Sequence, residues 1–379
     1  MVLDVSEGPL PPLTQIPADL RSLADYARRA ADHFTVEAWH HLEEGSGEGQ
    51  TLRLNRTALA RRGLLPRAMA DLRGGETALD LFGRRHAAPL MLAPLAYQRL
   101  AHPDGELAVV RAATALDTGM IVSTLASFTL EEIAEAGRSF AGELGKGGAP
   151  LWFQLYLQPD RRHSLDLVRR AEAAGYEAIV LTIDAAIKLS GMTLPPGVSA
   201  ANLAGMPMPR HTATPGGRIL LGTPLADAAP RWEDLAWLRE ATRLPILVKG
   251  MVLGEDARRA VDLGADGLIV SNHGGRVLDG LPSALDMIED VAAAVDGCIP
   301  LLVDGGFRSG TDMVKALALG ACSVLIGRPQ MHALAVAGMP GVAHAIHLLR
   351  TELEVTMAGL GCPRLADITR ERVITLSGA

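Results

Sequence analysis

A histidine and an arginine lie three residues apart in the hexapeptide SNHGGR, as His273 and Arg276. A histidine can accept a proton near neutral pH, and an arginine can bind a carboxylate through two parallel hydrogen bonds. The two glycines between them let the backbone bend sharply and approach a ligand. A base beside an anion-binding group is what oxidation at a carbon next to a carboxylate requires. For so short a motif, a surface turn with both side chains in solvent is the alternative.

The elements that position these residues form a repeating pattern from Pro89 onward. Eight short apolar runs alternate with amphipathic helical segments, and the predicted strands begin at Pro89, Met120, Leu151, Ala178, Pro245, Gly267, Pro300 and Ser323. Eight buried strands alternating with helices predict an α/β protein with a (β/α)8 TIM barrel. A doubly wound open sheet is the alternative, but no G-x-G-x-x-G motif follows the first strand.

Two segments fall outside this alternation. Residues 1–88 predict an N-terminal helical extension packed on the barrel, with helices over Leu20–Leu42 and Leu52–Leu65. The barrel itself is expected over residues 89–379. After the fourth strand, a loop of about residues 185–231 is rich in Pro, Gly and Met. Loops this long are usually lids or binding loops, or else disordered, and we interpret this one as a lid over the barrel mouth.

Polar residues end nearly every predicted strand, and in a barrel these ends build the active site. Ser123, Gln154 and Thr182 offer amide and hydroxyl groups suited to the edge of a heteroaromatic ring. After strands seven and eight, glycine amides with Arg308 and Arg328 suit a phosphate, which often binds there in this fold. A tight turn with both arginines in surface ion pairs is the alternative.

Two further strand-end residues, Lys249 and Asp184, each have two interpretations. Inside the barrel mouth, the Lys249 ammonium could hold negative charge that develops on a ligand. It could instead form a buried salt bridge with Asp304 or Asp184. Asp184 could orient His273 and stabilise its protonated form, or it could simply cap the loop that follows strand four.

The composition excludes several classes of protein. A net charge of −7 and a pI near 5.9 disfavour nucleic acid as a partner. No apolar run approaches the roughly 18 residues that span a bilayer, and no basic amphipathic segment suggests membrane binding. The three cysteines lack metal-ligand spacing, and no secretory signal is recognisable. We therefore expect a cytoplasmic protein without a metal site.

The chain resembles the FMN-dependent 2-hydroxy acid oxidases and dehydrogenases, the group of glycolate oxidase, lactate oxidase, mandelate dehydrogenase and hydroxymandelate oxidase. The motif SNHGGR carries the resemblance, with PILVKG before it and DGGFRSGTDMVKALALGA and IGRP after it. APLAYQRLAHPDGE, WFQLY and LTID resemble further blocks of the family. The resemblance extends from about Leu20 to about Pro363. It implies FMN at the barrel mouth and a homotetramer.

The resemblance also implies a role for each matching residue. His273 would be the base, paired with Asp184, while Tyr156 and Arg276 would face the substrate. Lys249 would lie near N1 and O2 of the flavin. The remaining positions would contact the flavin ring or its phosphate: Pro94, Leu95, Ala96, Ser123, Gln154, Thr182, Asp304, Gly305, Gly306, Arg308, Gly327 and Arg328.

Two positions depart from the family pattern, and a third differs from glycolate oxidase. His41 stands where the family has a substrate-facing tyrosine, and Gly191 stands where it has a second substrate arginine. Losing a charge-assisted hydrogen bond costs about 1.5 to 3 kcal/mol, or roughly ten- to a hundredfold in affinity, unless Lys188 or His41 replaces it. Leu125 stands where glycolate oxidase has a tryptophan. These changes predict a substrate larger than lactate, or one held less by its carboxylate.

The expected reaction is FMN-dependent oxidation of an L-2-hydroxy acid to the 2-keto acid. Oxygen, giving hydrogen peroxide, is the expected acceptor, with another electron acceptor left open. Transfer of the α-hydrogen as hydride or as proton is also left open. One alternative is flavin-dependent oxidation of an alcohol or amine that lacks a free carboxylate. A flavin-binding protein with little turnover is disfavoured because His273, Arg276, Lys249 and Tyr156 are all present.

Overall fold

The computed structural model describes residues 8–185, 193–206 and 220–376. Within these ranges eight parallel strands close into a barrel, because the last strand pairs with the first through Val324 and Leu90. The predicted barrel is confirmed, and the open-sheet alternative is wrong. In chain order the barrel strands are Leu90–Leu92, Gly119–Ser123, Leu151–Leu155, Ala178–Thr182, Ile246–Met251, Gly267–Val270, Leu301–Val303 and Ser323–Ile326.

The barrel strands are buried on both faces, which is why they read as continuous apolar runs. Successive side chains point to opposite faces of a strand. Met91 and Trp152 therefore pack inside the barrel, while Leu90 packs in the layer between strands and helices. A hairpin of Leu79–Leu81 and Arg84–His86 packs against the interior cluster through Leu81. The barrel is thus a filled core whose functional face is the opposite end.

Helices of the described chain surround the barrel or precede it. Their bounds are Leu23–Ala30, Val36–Glu43, Gln50–Ala60, Gly105–Ala115, Leu130–Glu143, Arg161–Ala174, Pro224–Asp227, Trp232–Ala241, Gly254–Asp262, Ala284–Val295, Gly310–Ala318 and Arg328–Leu360. Several of these helices begin at a capping signal that is visible in the sequence. Leu130–Glu143, for example, starts with a capping box formed by Thr129 and Glu132.

The single helix expected over Leu20–Leu42 is wrong, because the segment forms two helices. Thr35 has an extended backbone, and its side-chain oxygen accepts a hydrogen bond from the Ala38 amide. A threonine in this position caps and restarts a helix. The second helix, Val36–Glu43, therefore approaches the barrel mouth with its C-terminal end.

The helix expected over Leu52–Leu65 ends earlier than the pattern indicates. It spans Gln50–Ala60, and Arg62–Leu64 forms a short strand that pairs antiparallel with Val373–Thr375. The partner strand lies more than 300 residues away along the chain, so local periodicity carries no sign of the pairing.

The last helix, Arg328–Leu360, is long and apolar enough to cross a bilayer by length and composition alone. It is kinked at Ala337 and Gly338, just before Pro340. In its most apolar window, 67% of the helix is buried within the protein. Packing against the helices Leu23–Ala30, Gly105–Ala115 and Gly310–Ala318 therefore accounts for its composition.

The long connection after the fourth barrel strand is described only in part, over residues 193–206 and 220–231. It includes a short helix, Pro224–Asp227. Lys188 and Gly191 lie outside the described residues, so the predicted lid and the missing arginine stay predictions. The boundary between extension and barrel at residue 88 is likewise a prediction.

Candidate active site

A cavity of about 460 Å³ opens at the C-terminal ends of the barrel strands. Every predicted site residue except Asp184 and Gln154 lines it. Asp184 instead contacts His273, and Gln154 contacts Ser123, so both lie one side chain away from the cavity. The structure therefore brings together residues that the sequence places on all eight strand ends and on the N-terminal helices.

The loop that carries His273 is strained and tightly held. His273 has a φ of 54°, a left-handed conformation that costs a non-glycine residue about 1 to 3 kcal/mol. The neighbouring Asn272 exchanges two side-chain hydrogen bonds with Asn55, of 3.0 and 2.9 Å. A Cβ on Gly275 would lie 2.6 Å from the Leu52 backbone nitrogen, so only glycine fits there. Helix Gln50–Ala60 thus fixes the position of the histidine.

His273 and Asp184 form a buried pair. Nδ1 of His273 lies 2.9 Å from Oδ1 of Asp184. Burial lowers the pKa of His273 below its usual value, and the Asp184 carboxylate opposes that effect. Burial disfavours the charge on Asp184, but Lys249 and His273 outweigh it and lower the pKa of Asp184. A neutral imidazole that donates from Nδ1 to an ionised carboxylate has Nε2 free as a base.

Lys249 is buried with only 4% of its side chain exposed. Its Nζ lies 3.0 Å from Oδ2 of Asp304 and donates a 2.7 Å hydrogen bond to Oγ of Ser271. Burial opposes the charge, but the Asp304 and Asp184 carboxylates outweigh it and raise the pKa of Lys249. The salt bridge with Asp304 that we considered as an alternative is therefore present. The third N–H has no acceptor among the described residues and remains available to a ligand.

Arg276 uses part of its guanidinium to hold the end of helix Val36–Glu43. Nη1 donates to the carbonyl oxygens of Leu42 (2.7 Å) and Glu44 (3.1 Å), and Nη2 donates to that of His41 (2.5 Å). A guanidinium has five N–H donors. Nε–H and one Nη2–H have no acceptor in the part of the chain that the structure describes. Two donors of Arg276 therefore remain for a carboxylate.

Arg328 and Arg308 follow the last two strands. Arg328 donates to the carbonyl oxygens of Leu42 (2.9 Å) and Gly274 (3.1 Å). Burial and the nearby Arg276 lower the pKa of Arg328 to about 10. The guanidinium of Arg308, which also lines the cavity, has no acceptor among the residues described. A half-buried cation that lacks a partner, as Arg308 does among the described residues, favours a bound anion, here beside the N-terminus of helix Arg328–Leu360.

The donor set fits FMN. Nε2 of Gln154, Oγ1 of Thr182 and Oδ1 of Asp304 are buried and have no hydrogen-bond partner among the described residues. Oε1 of Gln154 already accepts from Oγ of Ser123 at 3.1 Å, which leaves its amide N–H groups as donors. Such groups match the carbonyl and nitrogen edge of a flavin ring, while the unpaired Arg308 matches its phosphate.

The sequence interpretation missed several residues of the site. Asn55 holds the histidine loop, and its only signal was its place in the motif LRLNR. Tyr97 lines the cavity with a left-handed backbone (φ 54°), and burial raises the pKa of its phenol. Glu43 and His332 meet at 2.8 Å, with the His332 side chain fully buried. They are 289 residues apart, so spacing gave no indication of this contact.

A barrel whose mouth combines a histidine base, a buried lysine and anion-binding arginines defines a flavin-type α/β-barrel oxidoreductase. The chain matches the FMN-dependent dehydrogenase family over residues 30–375 and belongs to that family. It is an FMN-dependent enzyme of the 2-hydroxy acid oxidase and dehydrogenase group. The predicted family and cofactor are thereby confirmed.

Several relatives cover almost the whole chain. An L-lactate oxidase of Alicycliphilus denitrificans is 48% identical over 367 residues, which are 95% of this chain and 98% of the relative. A 4-hydroxymandelate oxidase of Amycolatopsis orientalis is 47% identical over 358 residues, covering 92% and 97% of the two chains. A crystal structure of mandelate oxidase with 3,3-difluoro-2-hydroxy-3-phenylpropionic acid has a TM-score of 0.83 at 44% identity, covering 94% of this chain and 99% of that one.

Proposed function

We propose that this protein oxidises an L-2-hydroxy acid to the 2-keto acid and passes the electrons to oxygen, forming hydrogen peroxide. The observation that carries the proposal is the contact of His273 Nδ1 with Asp184 Oδ1 beside a cavity that Arg276 and Lys249 also line. A base, an anion-binding group and a buried cation in one pocket are what this oxidation needs.

His273 is the proposed general base. Its pKa is lowered by burial, so the imidazole is neutral at pH 7 and Nε2 can remove the hydroxyl proton. Asp184 then stabilises the imidazolium through the hydrogen bond at Nδ1. Loss of this proton and of the α-hydrogen turns the C–O single bond of the substrate into the carbonyl group. Bound FMN would supply the two-electron acceptor.

The substrate carboxylate is proposed to bind Arg276. Nε–H and the second Nη2–H of Arg276 are not used by the described residues, while its other donors hold the end of helix Val36–Glu43. Tyr156 lines the same cavity, and burial raises the pKa of its phenol, so the hydroxyl stays protonated and can donate. These donors favour a carboxylate substrate over an alcohol or amine without one.

The substrate is proposed to be larger than lactate. The cavity lining includes apolar side chains, among them Leu125, Leu157 and Leu225. An apolar lining of this kind favours a substrate side chain larger than a methyl group, because burying each methylene stabilises binding by about 0.8 kcal/mol. The relatives named for 4-hydroxymandelate and mandelate support a substrate with a large side chain.

Steady-state turnover tests the acceptor and the size of the substrate. Purified FMN-loaded protein is given lactate, 2-hydroxyoctanoate or 4-hydroxymandelate in air, with each enantiomer separate. We expect one peroxide formed and one oxygen consumed per keto acid, and a higher kcat/KM for the two larger acids. Keto acid formed only with an added artificial acceptor would contradict oxygen as the acceptor, and a preference for lactate would contradict the proposed size.

A further inference from the structure

A second cavity of about 440 Å³ adjoins the first. The two cavities share four lining residues, Leu157, Gln158, Pro159 and Ala228. The first three directly follow Tyr156, which lines the main cavity and is proposed to face the substrate. A substrate side chain that extends past Tyr156 therefore meets this shared wall.

The lining changes from apolar to polar across the shared wall. On the near side the main cavity presents Leu157 and Leu225, whereas half of the residues that line the second cavity are charged. Its charged residues are Arg161, Asp227, Arg231, Glu233 and Asp234. An apolar wall beside a charged surface cavity suits a ligand with an apolar stem and a polar end.

The charges of the second cavity are not balanced. Arg161 pairs with Asp234, with an N–O distance of 2.6 Å. The carboxylates of Asp227 and Glu233 form no ion pair with any residue that the structure describes, and Arg231 is the only other cation in the lining. The chamber therefore favours an amino group or a neutral hydrogen-bond donor over a second carboxylate.

We propose that the second cavity is a distal subsite for the side chain of the substrate. The inference rests on the proposed function and names its substrate class more closely. The substrate is a 2-hydroxy acid whose side chain is long enough to pass Leu157 and ends in a hydrogen-bond donor, with an amino group preferred to a carboxylate.

Four acids test this proposal with the FMN-loaded protein: lactate, 2-hydroxyhexanoate, 6-amino-2-hydroxyhexanoate and 2-hydroxyadipate. The last three have equal chain lengths and differ in the terminal group. We expect kcat/KM for 6-amino-2-hydroxyhexanoate to exceed that for 2-hydroxyadipate by about tenfold. This ratio corresponds to one opposite-sign contact of roughly 1.4 kcal/mol. Equal values for the three six-carbon acids would overturn the charge selectivity.

Two variants locate the effect in the second cavity. Ala229 lines only this cavity, and Ala226, three residues earlier, lines neither, so it provides the control. Ala229→Trp should lower kcat/KM for the six-carbon acids about tenfold and leave lactate within about twofold, whereas Ala226→Trp should change neither. Glu233→Gln should reduce only the preference for the amino group. An Ala229→Trp variant that treats long and short acids alike would overturn the subsite.

The same measurements distinguish failure of the proposed reaction from failure of the distal subsite. If no acid in the series is turned over by the wild-type protein, and mandelate is not oxidised either, the proposed reaction is wrong. Turnover of the short acids without selectivity for length or terminal charge overturns only the distal subsite.

Discussion

Oδ1 of Asp184 lies 2.9 Å from Nδ1 of His273, and together they join the ends of the fourth and sixth barrel strands. The contact fixes the imidazole with Nε2 available and places a negative charge behind it. Asp184→Asn keeps a hydrogen-bond acceptor but removes that charge. We expect the rate of flavin reduction to fall about a hundredfold, in the range of acid–base catalysis.

The pH profile separates this electrostatic role from simple packing. The base must be neutral, so activity should be lost as the pH falls through the pKa of His273, which burial holds below its usual value. The Asp184 carboxylate raises that pKa, so Asp184→Asn should move the acidic limb of kcat/KM to lower pH. The exposed Asp166→Asn serves as the control. An acidic limb that stays in place would show that Asp184 does not act on the base.

Arg276 should affect substrate binding more than the chemical step. Replacing it with methionine removes two unassigned donors as well as the contacts to Leu42 and His41. We expect KM for the hydroxy acid to rise about ten- to a hundredfold, the value of a lost charge-assisted pair. The exposed Arg169→Met is the matched control. Steady-state kinetics with an unchanged KM would place the carboxylate elsewhere.

Arg308 should govern cofactor affinity. Its half-buried guanidinium has no acceptor in the described ranges 8–185, 193–206 and 220–376, and desolvation lowers its pKa, so an anion beside it is stabilising. We expect Arg308→Gln to weaken FMN binding at least about tenfold, measured by quenching of FMN fluorescence on titration. Arg169→Gln should leave the Kd unchanged. An Arg308→Gln variant with wild-type affinity would remove this residue from the phosphate site.

His86 should make the fold sensitive to acid. The residue is 1% exposed and lies near Trp152, and neither ring nitrogen has a partner among the described residues. Burial lowers its pKa to about 4. Because the unfolded chain binds this proton more readily than the folded protein, protonation of His86 favours unfolding. Its contribution to the free energy of unfolding is fully present above about pH 6.5 and is lost as the pH falls towards 4. Between pH 7 and 4.5 the expected loss is about 2 kcal/mol.

Urea unfolding at these two pH values measures that loss. His86→Leu removes the titrating group, so its free energy of unfolding should fall less between pH 7 and 4.5 than that of the wild type. An equal fall in both proteins would mean that His86 already carries a proton in the folded state.

The barrel could be predicted from the sequence because each strand is buried on both faces and so forms its own apolar run. The grouping of the strand-end residues in one site could then be predicted, since parallel strands of a barrel present their carboxyl ends at one face. His273 and Lys249 are examples, and both line the cavity at that face.

The residues that hold the site together were not predictable in this way. Asn55 and Asn272 meet across more than 200 residues of chain, and so do Glu43 and His332. Such contacts depend on how the N-terminal helices pack on the finished barrel. The break at Thr35 was missed because apolar spacing continues across it, although the threonine itself is a capping signal.

The central claim is that His273 drives oxidation of a 2-hydroxy acid in this cavity. Anaerobic mixing of the FMN-loaded protein with a series of acids from glycolate to mandelates, followed by flavin absorbance, tests it most directly. We predict rapid bleaching by the L-enantiomer of one class, and bleaching about a hundred- to ten-thousandfold slower in His273→Gln at unchanged FMN affinity. Absence of bleaching by every acid, or equal rates in wild type and His273→Gln, would contradict the account.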